Sequence, residues 1–157
     1  MVAPAGWLCA SGPPPDRGPS RHAAWDRDGT LAGRETVLLV DDEPAVRRTG
    51  SRILSRVGYA VVLAEDGQEA VACLEREAGR IALIITDMIM PGMDACDLVR
   101  IVRRRWPMIP VILSTGYDMG RLAGGELELF NRFIPKPYTP EEILRAVRET
   151  LDGLGRA

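Results

Sequence analysis

The chain has 157 residues, enough for one domain of ordinary size plus a tail. A formal net charge of −2 argues against a general nucleic-acid or membrane-surface binder, which would carry a basic surplus. No apolar run approaches the roughly eighteen residues of a membrane span, and the N-terminus lacks a basic segment followed by a sustained apolar one, so the expectation is a cytoplasmic protein with no membrane insertion.

Residues 1 to 34 are rich in Gly, Pro, Ala and Ser, include Pro13, Pro14 and Pro15 in a row, and show neither helical nor strand periodicity. They predict a flexible low-complexity tail that contributes few buried contacts. Within it, Asp26-Arg27-Asp28-Gly29-Thr30-Leu31 resembles the DxDGT signature of haloacid-dehalogenase-type Mg2+ phosphatases, which would make Asp26 and Asp28 the reactive acids. Those enzymes need the first Asp at the end of a buried strand, and Ser20 to Trp25 supplies no such apolar run. A domain is expected over residues 35 to 153, followed by a short tail at 154 to 157.

Thr36 to Val40 predict the first strand, with Asp41 and Asp42 after it. Pro44 at a first helical position and apolar Val46, Ile53, Leu54 and Val57 predict an amphipathic helix ended by Gly58. Ala60 to Ala64 form the second strand. Asp66 with Glu69 three residues on resembles a capping box, opening a helix whose buried face is Ala70, Val71 and Leu74. The apolar run Ala82 to Thr86 fits a strand buried on both faces; Asp87 ends it, and Pro91 and Gly92 turn the chain. Asp94 caps a third helix with Leu98, Ile101 and Val102 inward, and Arg103, Arg104 and Arg105 at its carboxyl end offset the macrodipole there.

Val111 to Ser114 predict the fourth strand, with Thr115 at its tip. Gly120, Gly124 and Gly125 fall where a fourth helix belongs, and each costs about 1 kcal/mol relative to Ala, so that helix should be short or frayed. Arg132 to Pro135 form a fifth strand, at a sheet edge because Pro135 cannot donate to a ladder. Thr139-Pro140-Glu141-Glu142 combines an N-cap, an N1 proline and an N3 glutamate ahead of the buried stripe Ile143, Leu144, Val147 and Leu151. Strands and helices alternating in this way imply a parallel sheet with helices on both faces. Cys9, Cys73 and Cys96 are odd in number and lack CxxC spacing, which fits neither a disulfide framework nor a zinc site; they read as free thiols.

In a parallel sheet the carboxyl ends of the strands face one crevice. Asp41, Asp42, Asp87, Thr115 and Lys136 would converge there. Alone, Asp87 would read as a turn residue; the others give it company. Lys136 is notable because nineteen of the twenty basic residues are Arg, which suggests a position that wants a compact ammonium. Three carboxylates brought together raise one another's pKa unless a cation sits among them, and an oxygen-only donor set suits Mg2+.

These pieces resemble the response-regulator receiver domain of two-component signalling. The matching motifs are VLLVDDEP (Val37 to Pro44), IITDMIMPGMD (Ile84 to Asp94), PVILSTGY (Pro110 to Tyr117) and FIPKPY (Phe133 to Tyr138), and the chain looks most like receivers attached to hybrid sensor kinases. The resemblance implies a flavodoxin-like, doubly wound five-stranded sheet in the order 2-1-3-4-5 with five helices. It implies that Asp87 accepts a phosphoryl group, assisted by Lys136 and Thr115. Asp42 and Asp87 would bind Mg2+ directly, Asp41 mostly through water, and the Ile89 backbone carbonyl would complete the protein ligands. Thr115 and Phe133 would form the switch. Phe133 lacks the hydroxyl of the tyrosine often found at that position, and Ala95 stands where the family usually has Gly.

The implied partners are a histidine kinase or phosphotransfer protein as donor and a downstream protein as receiver of the signal, with no direct contact to nucleic acid. Six residues follow Leu151, so no covalent output domain is expected within the chain. No enzymatic turnover is expected beyond slow autodephosphorylation. That step should be slow here because Ile89 and Tyr117, at the rim of the pocket, are bulky and poorly suited to orient water. A phosphorylation-dead binding module on the same fold is the alternative within the family.

Overall fold

Residues 29–116, 122 and 124–155 are described in the computed structural model, and every expected strand forms there. The strands are β1 (Thr36–Val40), β2 (Ala60–Ala64), β3 (Ile81–Asp87), β4 (Val111–Thr115) and β5 (Arg132–Pro135). They build one five-stranded parallel sheet in the order β2-β1-β3-β4-β5. Pro135 lies on an edge strand, where its missing N–H leaves no gap in a ladder.

Because strand side chains alternate faces, each strand feeds two apolar layers. Leu38, Val40, Ile84, Val111 and Leu113 pack under α2 (Gly67–Glu77) and α3 (Ala95–Arg105), while Val37, Leu39, Leu83, Ile85 and Ile112 pack under α1 (Pro44–Arg56) and α4 (Pro140–Leu154). β3 is sandwiched between β1 and β4 with both faces covered, which accounts for its unbroken apolar run.

Caps set the helix starts. Thr139 Oγ1 accepts the Glu142 N–H while the Glu142 carboxylate accepts the Thr139 N–H, a complete capping box. Asp94 accepts from Asp97 N–H in the same way. Asp66 accepts the Glu69 N–H, but the Glu69 carboxylate turns to the Glu65 N–H, so the expected reciprocal box is only half present. On α3 the buried positions are Ala95, Cys96, Leu98, Val99 and Val102, and Ile101 is only half-buried. Ala95 sits at the first position of that helix, wholly buried, without the positive φ that would call for Gly.

The expected count of five helices is corrected to four among the described residues. Between β4 and β5 the described chain holds only a 3-10 turn, Leu127–Leu129, preceded by Gly124 and Gly125. Gly125 has φ +100°, which an α-helix cannot use. The described end of this segment takes donors from α3. Arg103 donates to the carbonyls of Leu129 and Ile109 and to Asn131 Oδ1, at 2.6 to 2.9 Å. This guanidinium is half-buried, burial lowers its pKa, and it serves packing, in keeping with a structural role for the α3 arginines. Arg105 likewise pairs with Glu75 and stacks over the Trp106 ring at 4.4 Å.

At the amino end of the sheet, Arg148 of α4 gathers Glu35, the Tyr59 hydroxyl and the Ala32 carbonyl. Leu31 packs on the α1/α4 layer, the Gly33 N–H donates to Val57 O at 3.1 Å, and a Cβ at Gly33 would fall 2.1 Å from the Tyr59 ring. Residues 31 to 34, placed by sequence with the tail, thus touch the domain. A chain starting at Arg34 is expected to be about 1–2 kcal/mol less stable than one starting at Gly29, from lost Leu31 burial and that hydrogen bond. Equal urea midpoints for the two would contradict this.

Cys73 and Cys96 are buried and form no disulfide among the described residues. Cys9 and the Asp26/Asp28 motif lie outside the described residues.

Candidate functional site

The carboxyl ends of β1, β3, β4 and β5 are neighbours because all four strands are parallel and adjacent. Asp41 follows β1 and is only 2% exposed. Each of its polar groups is engaged: its N–H donates to Ala64 O at 3.1 Å, Oδ1 accepts the Glu43 N–H at 2.9 Å, and Oδ2 accepts Lys136 Nζ at 2.7 Å. Asp87 ends β3. Its Oδ1 accepts the Met88 N–H at 2.8 Å and lies 3.3 Å from Lys136 Nζ. Asp42 is exposed and completes the acidic group, and one carboxylate oxygen from each of Asp41, Asp42 and Asp87 lies within 4.8 Å of the others.

Charge governs this cluster. Burial pushes the Asp87 carboxyl up; Lys136 pulls it down, the field of Asp41 pushes it up again, and the net displacement is upward. Burial works against the Lys136 ammonium too, but the hydrogen bond to Asp41 and the fields of both acids outweigh it and raise its pKa. One lysine therefore offsets only part of the charge of three acids. An oxygen-only donor set with residual negative charge, open to solvent at Asp42, fits a hard divalent cation that keeps several waters, as Mg2+ does.

Thr115 closes β4, is 7% exposed, and its carbonyl accepts the Lys136 N–H at 2.9 Å, which ties the β4 and β5 tips together. In register it stands one residue beyond Ser114, the partner of Asp87. Phe133 is half-buried against the α2/α3 layer, its ring 5.9 Å from that of Phe130. Ile89, two residues beyond Asp87, is 53% exposed in the loop that turns at Gly92. Tyr117 lies outside the described residues.

The structure adds residues that the motifs did not single out. Arg47 donates from Nη1 to the Asp41 carbonyl at 2.5 Å, and Tyr138 packs beside α1, its hydroxyl 3.8 Å from where a Cβ on Gly50 would stand. Burial raises the Tyr138 pKa, and the fields of Lys136, Asp41 and Asp87 all reach it. A helical Gly at position 50 was the available signal for a close approach to α1.

The family model for the response regulator receiver domain matches residues 37–148. The chain belongs to that family. Among curated receivers and their hosts, it is 37% identical over 123 residues to the sensor kinase CckA of Brucella abortus, covering 78% of this chain but 13% of the kinase. It spans about half the length of other curated relatives, among them the response regulator MprA of Mycolicibacterium vanbaalenii. Among solved structures, the receiver domain of the hybrid histidine kinase CckA is 36% identical with a TM-score of 0.63, covering 74% of this chain and 98% of that one. The response regulator TrrA of Thermotoga maritima, solved in complex with Mg2+-BeF, is 27% identical with a TM-score of 0.67, covering 74% and 98%. The receiver fold, its sheet order and its place in two-component signalling are thus those the sequence motifs implied. Among the described residues no helix is long and apolar enough to cross a membrane.

Proposed function

We propose that this receiver accepts a phosphoryl group on Asp87, delivered by a histidine kinase or phosphotransfer protein in the cytoplasm. The observation that carries the reading is the placement of Asp87 at the tip of β3, inside the 4.8 Å acidic cluster and 3.3 Å from the only lysine in the chain. Met88 N–H and Lys136 both address Oδ1, so Oδ2 is assigned as the nucleophile. Oδ2 forms the new bond to phosphorus, the donor's P–N bond breaks, and its imidazole leaves with the electron pair.

A Mg2+ ion held by Asp42, Asp87 and the Ile89 carbonyl, with Asp41 acting through water, would neutralise charge on the phosphoryl oxygens. Lys136 places its ammonium where that charge develops, and Asp41 fixes the ammonium's position with the 2.7 Å contact. The Thr115 hydroxyl, drawn toward the new oxygens, transmits the change along β4 toward Phe133. Phe133 carries no hydroxyl, so its part in the switch is packing against Phe130. A downstream protein then reads the altered face, and the chain performs no turnover beyond slow hydrolysis of its own acyl phosphate. Incubation with acetyl phosphate and Mg2+ should add one phosphoryl group by intact mass; a protein that remains unmodified would instead be a binding module on the receiver fold.

The acyl phosphate should be long-lived, because Ile89 is apolar at the rim and cannot orient a water for in-line attack. Ile89→Asn is expected to speed decay of the phosphorylated protein by about tenfold, equivalent to ~1.4 kcal/mol on the barrier. Equal decay rates would remove Ile89 from the account.

A further inference from the structure

Asp42 depends on its neighbour for its position. It is exposed and makes no hydrogen bond of its own among the described residues, so the Asp41–Asp42 peptide decides where its carboxylate points. The carbonyl of that peptide accepts Arg47 Nη1 at 2.5 Å. Arg47 sits one turn into α1, with its backbone N–H on Glu43 O and its side chain only 16% exposed. Its Nη2 lies 3.9 Å from Glu65 Oε2 at the tip of β2, and Glu65 N–H is in turn held by Glu69. The guanidinium therefore bridges the acidic loop to the β2–α2 turn.

Charge balance fits this arrangement. Asp41, Asp42 and Asp87 carry three negative charges against one on Lys136, a surplus that a divalent cation cancels. Arg47 would oppose that cation were its own charge not offset by Glu65. Groups that orient metal ligands without touching the metal commonly control affinity by ten- to a hundredfold.

We infer that Arg47 is a positioning residue for the divalent-cation site, holding the Asp41–Asp42 peptide so that Asp42 faces Asp87. The inference rests on the Mg2+ reading of the acidic cluster. It differs from a packing role in what each substitution should do. Arg47→Met should weaken Mg2+ binding about tenfold, measured by calorimetric titration of the full chain with Mg2+ alone. Arg47→Lys, which keeps a charged donor in reach of the carbonyl, should restore affinity to within about threefold of the parent.

Circular dichroism and urea midpoints taken without Mg2+ separate loss of fold from loss of site. Should Arg47→Met fail to fold, Arg47→Gln, polar but too short to reach the carbonyl, carries the same expected weakening. Parent-like Mg2+ affinity in a folded Arg47→Met or Arg47→Gln chain would overturn the inference while leaving the metal reading intact. Equal weakening in Arg47→Lys and Arg47→Met would overturn it as well. Absence of Mg2+ binding by the parent chain would overturn both the inference and the reading beneath it.

Discussion

Asp87→Asn is expected to reduce phosphorylation by acetyl phosphate at least a hundredfold, on the order expected when a nucleophile is removed, while the fold persists. The same substitution should stabilise the metal-free protein at pH 7. Asp87 has its folded-state pKa raised above the ordinary 3.8, chiefly by burial, so the folded state favours its protonated form. That contribution is full below about pH 3.8 and is lost as pH rises through the raised folded value, leaving an ionised, repelled carboxylate at neutrality. Asparagine removes the repulsion. The gain should be on the order of 1 kcal/mol at pH 7, should vanish in acid, and should reverse sign relative to the parent when Mg2+ is added. Thermal unfolding at pH 7 and pH 3, with and without Mg2+, checks all of these, and an Asn variant that still takes up phosphate at parent stoichiometry would sink the assignment of Asp87.

Lys136→Met has the second largest expected effect, and it should be felt twice. The phosphorylation rate should fall about a hundredfold, because the ammonium that meets developing charge on the phosphoryl oxygens is gone. Stability should fall by about 3 kcal/mol at pH 7, because Asp41, almost wholly buried, loses the partner of its Oδ2. The loss should shrink as pH drops and Asp87, whose carboxyl burial already pushes up, takes up a proton. Lys136→Arg separates the two roles: a guanidinium can keep Asp41 paired, so most stability should return, but its planar fork cannot reproduce a point charge placed between Asp41 and Asp87. Full recovery of rate in the Arg variant would show that any cation suffices there.

Much of the site was legible because the signals were local. Each strand is a short, largely apolar run, and the functional groups stand at or just past the ends of those runs, so reading strands already located Asp41, Asp87, Thr115 and Lys136. What was missed depends on which way a side chain turns, or on contacts distant in sequence. Arg47 and Arg48 are identical in type, and only the phase of α1 against β1 decides that Arg47 reaches the acidic loop. Glu69 satisfies the spacing of a capping box equally well whether it returns to Asp66 or reaches Glu65.

The glycines warned that a fourth helix would be weak, yet nothing local revealed that Arg103, 26 positions before Leu129, would supply donors to the 3-10 turn described there. Leu31 stands alone among Gly and Ala without a period to mark it, so its contact with the α1/α4 layer appears only once the chain is folded.

The expected bond joins phosphorus to one oxygen of Asp87. It is tested most directly by phosphorylating the full chain with acetyl phosphate and Mg2+, reducing the acyl phosphate with borohydride, and locating the converted residue by peptide mass spectrometry. Conversion of Asp87 to homoserine, in the peptide that contains Ile84 to Asp94, is the predicted result. Conversion at Asp41, Asp42 or Asp26 with Asp87 untouched would contradict the account.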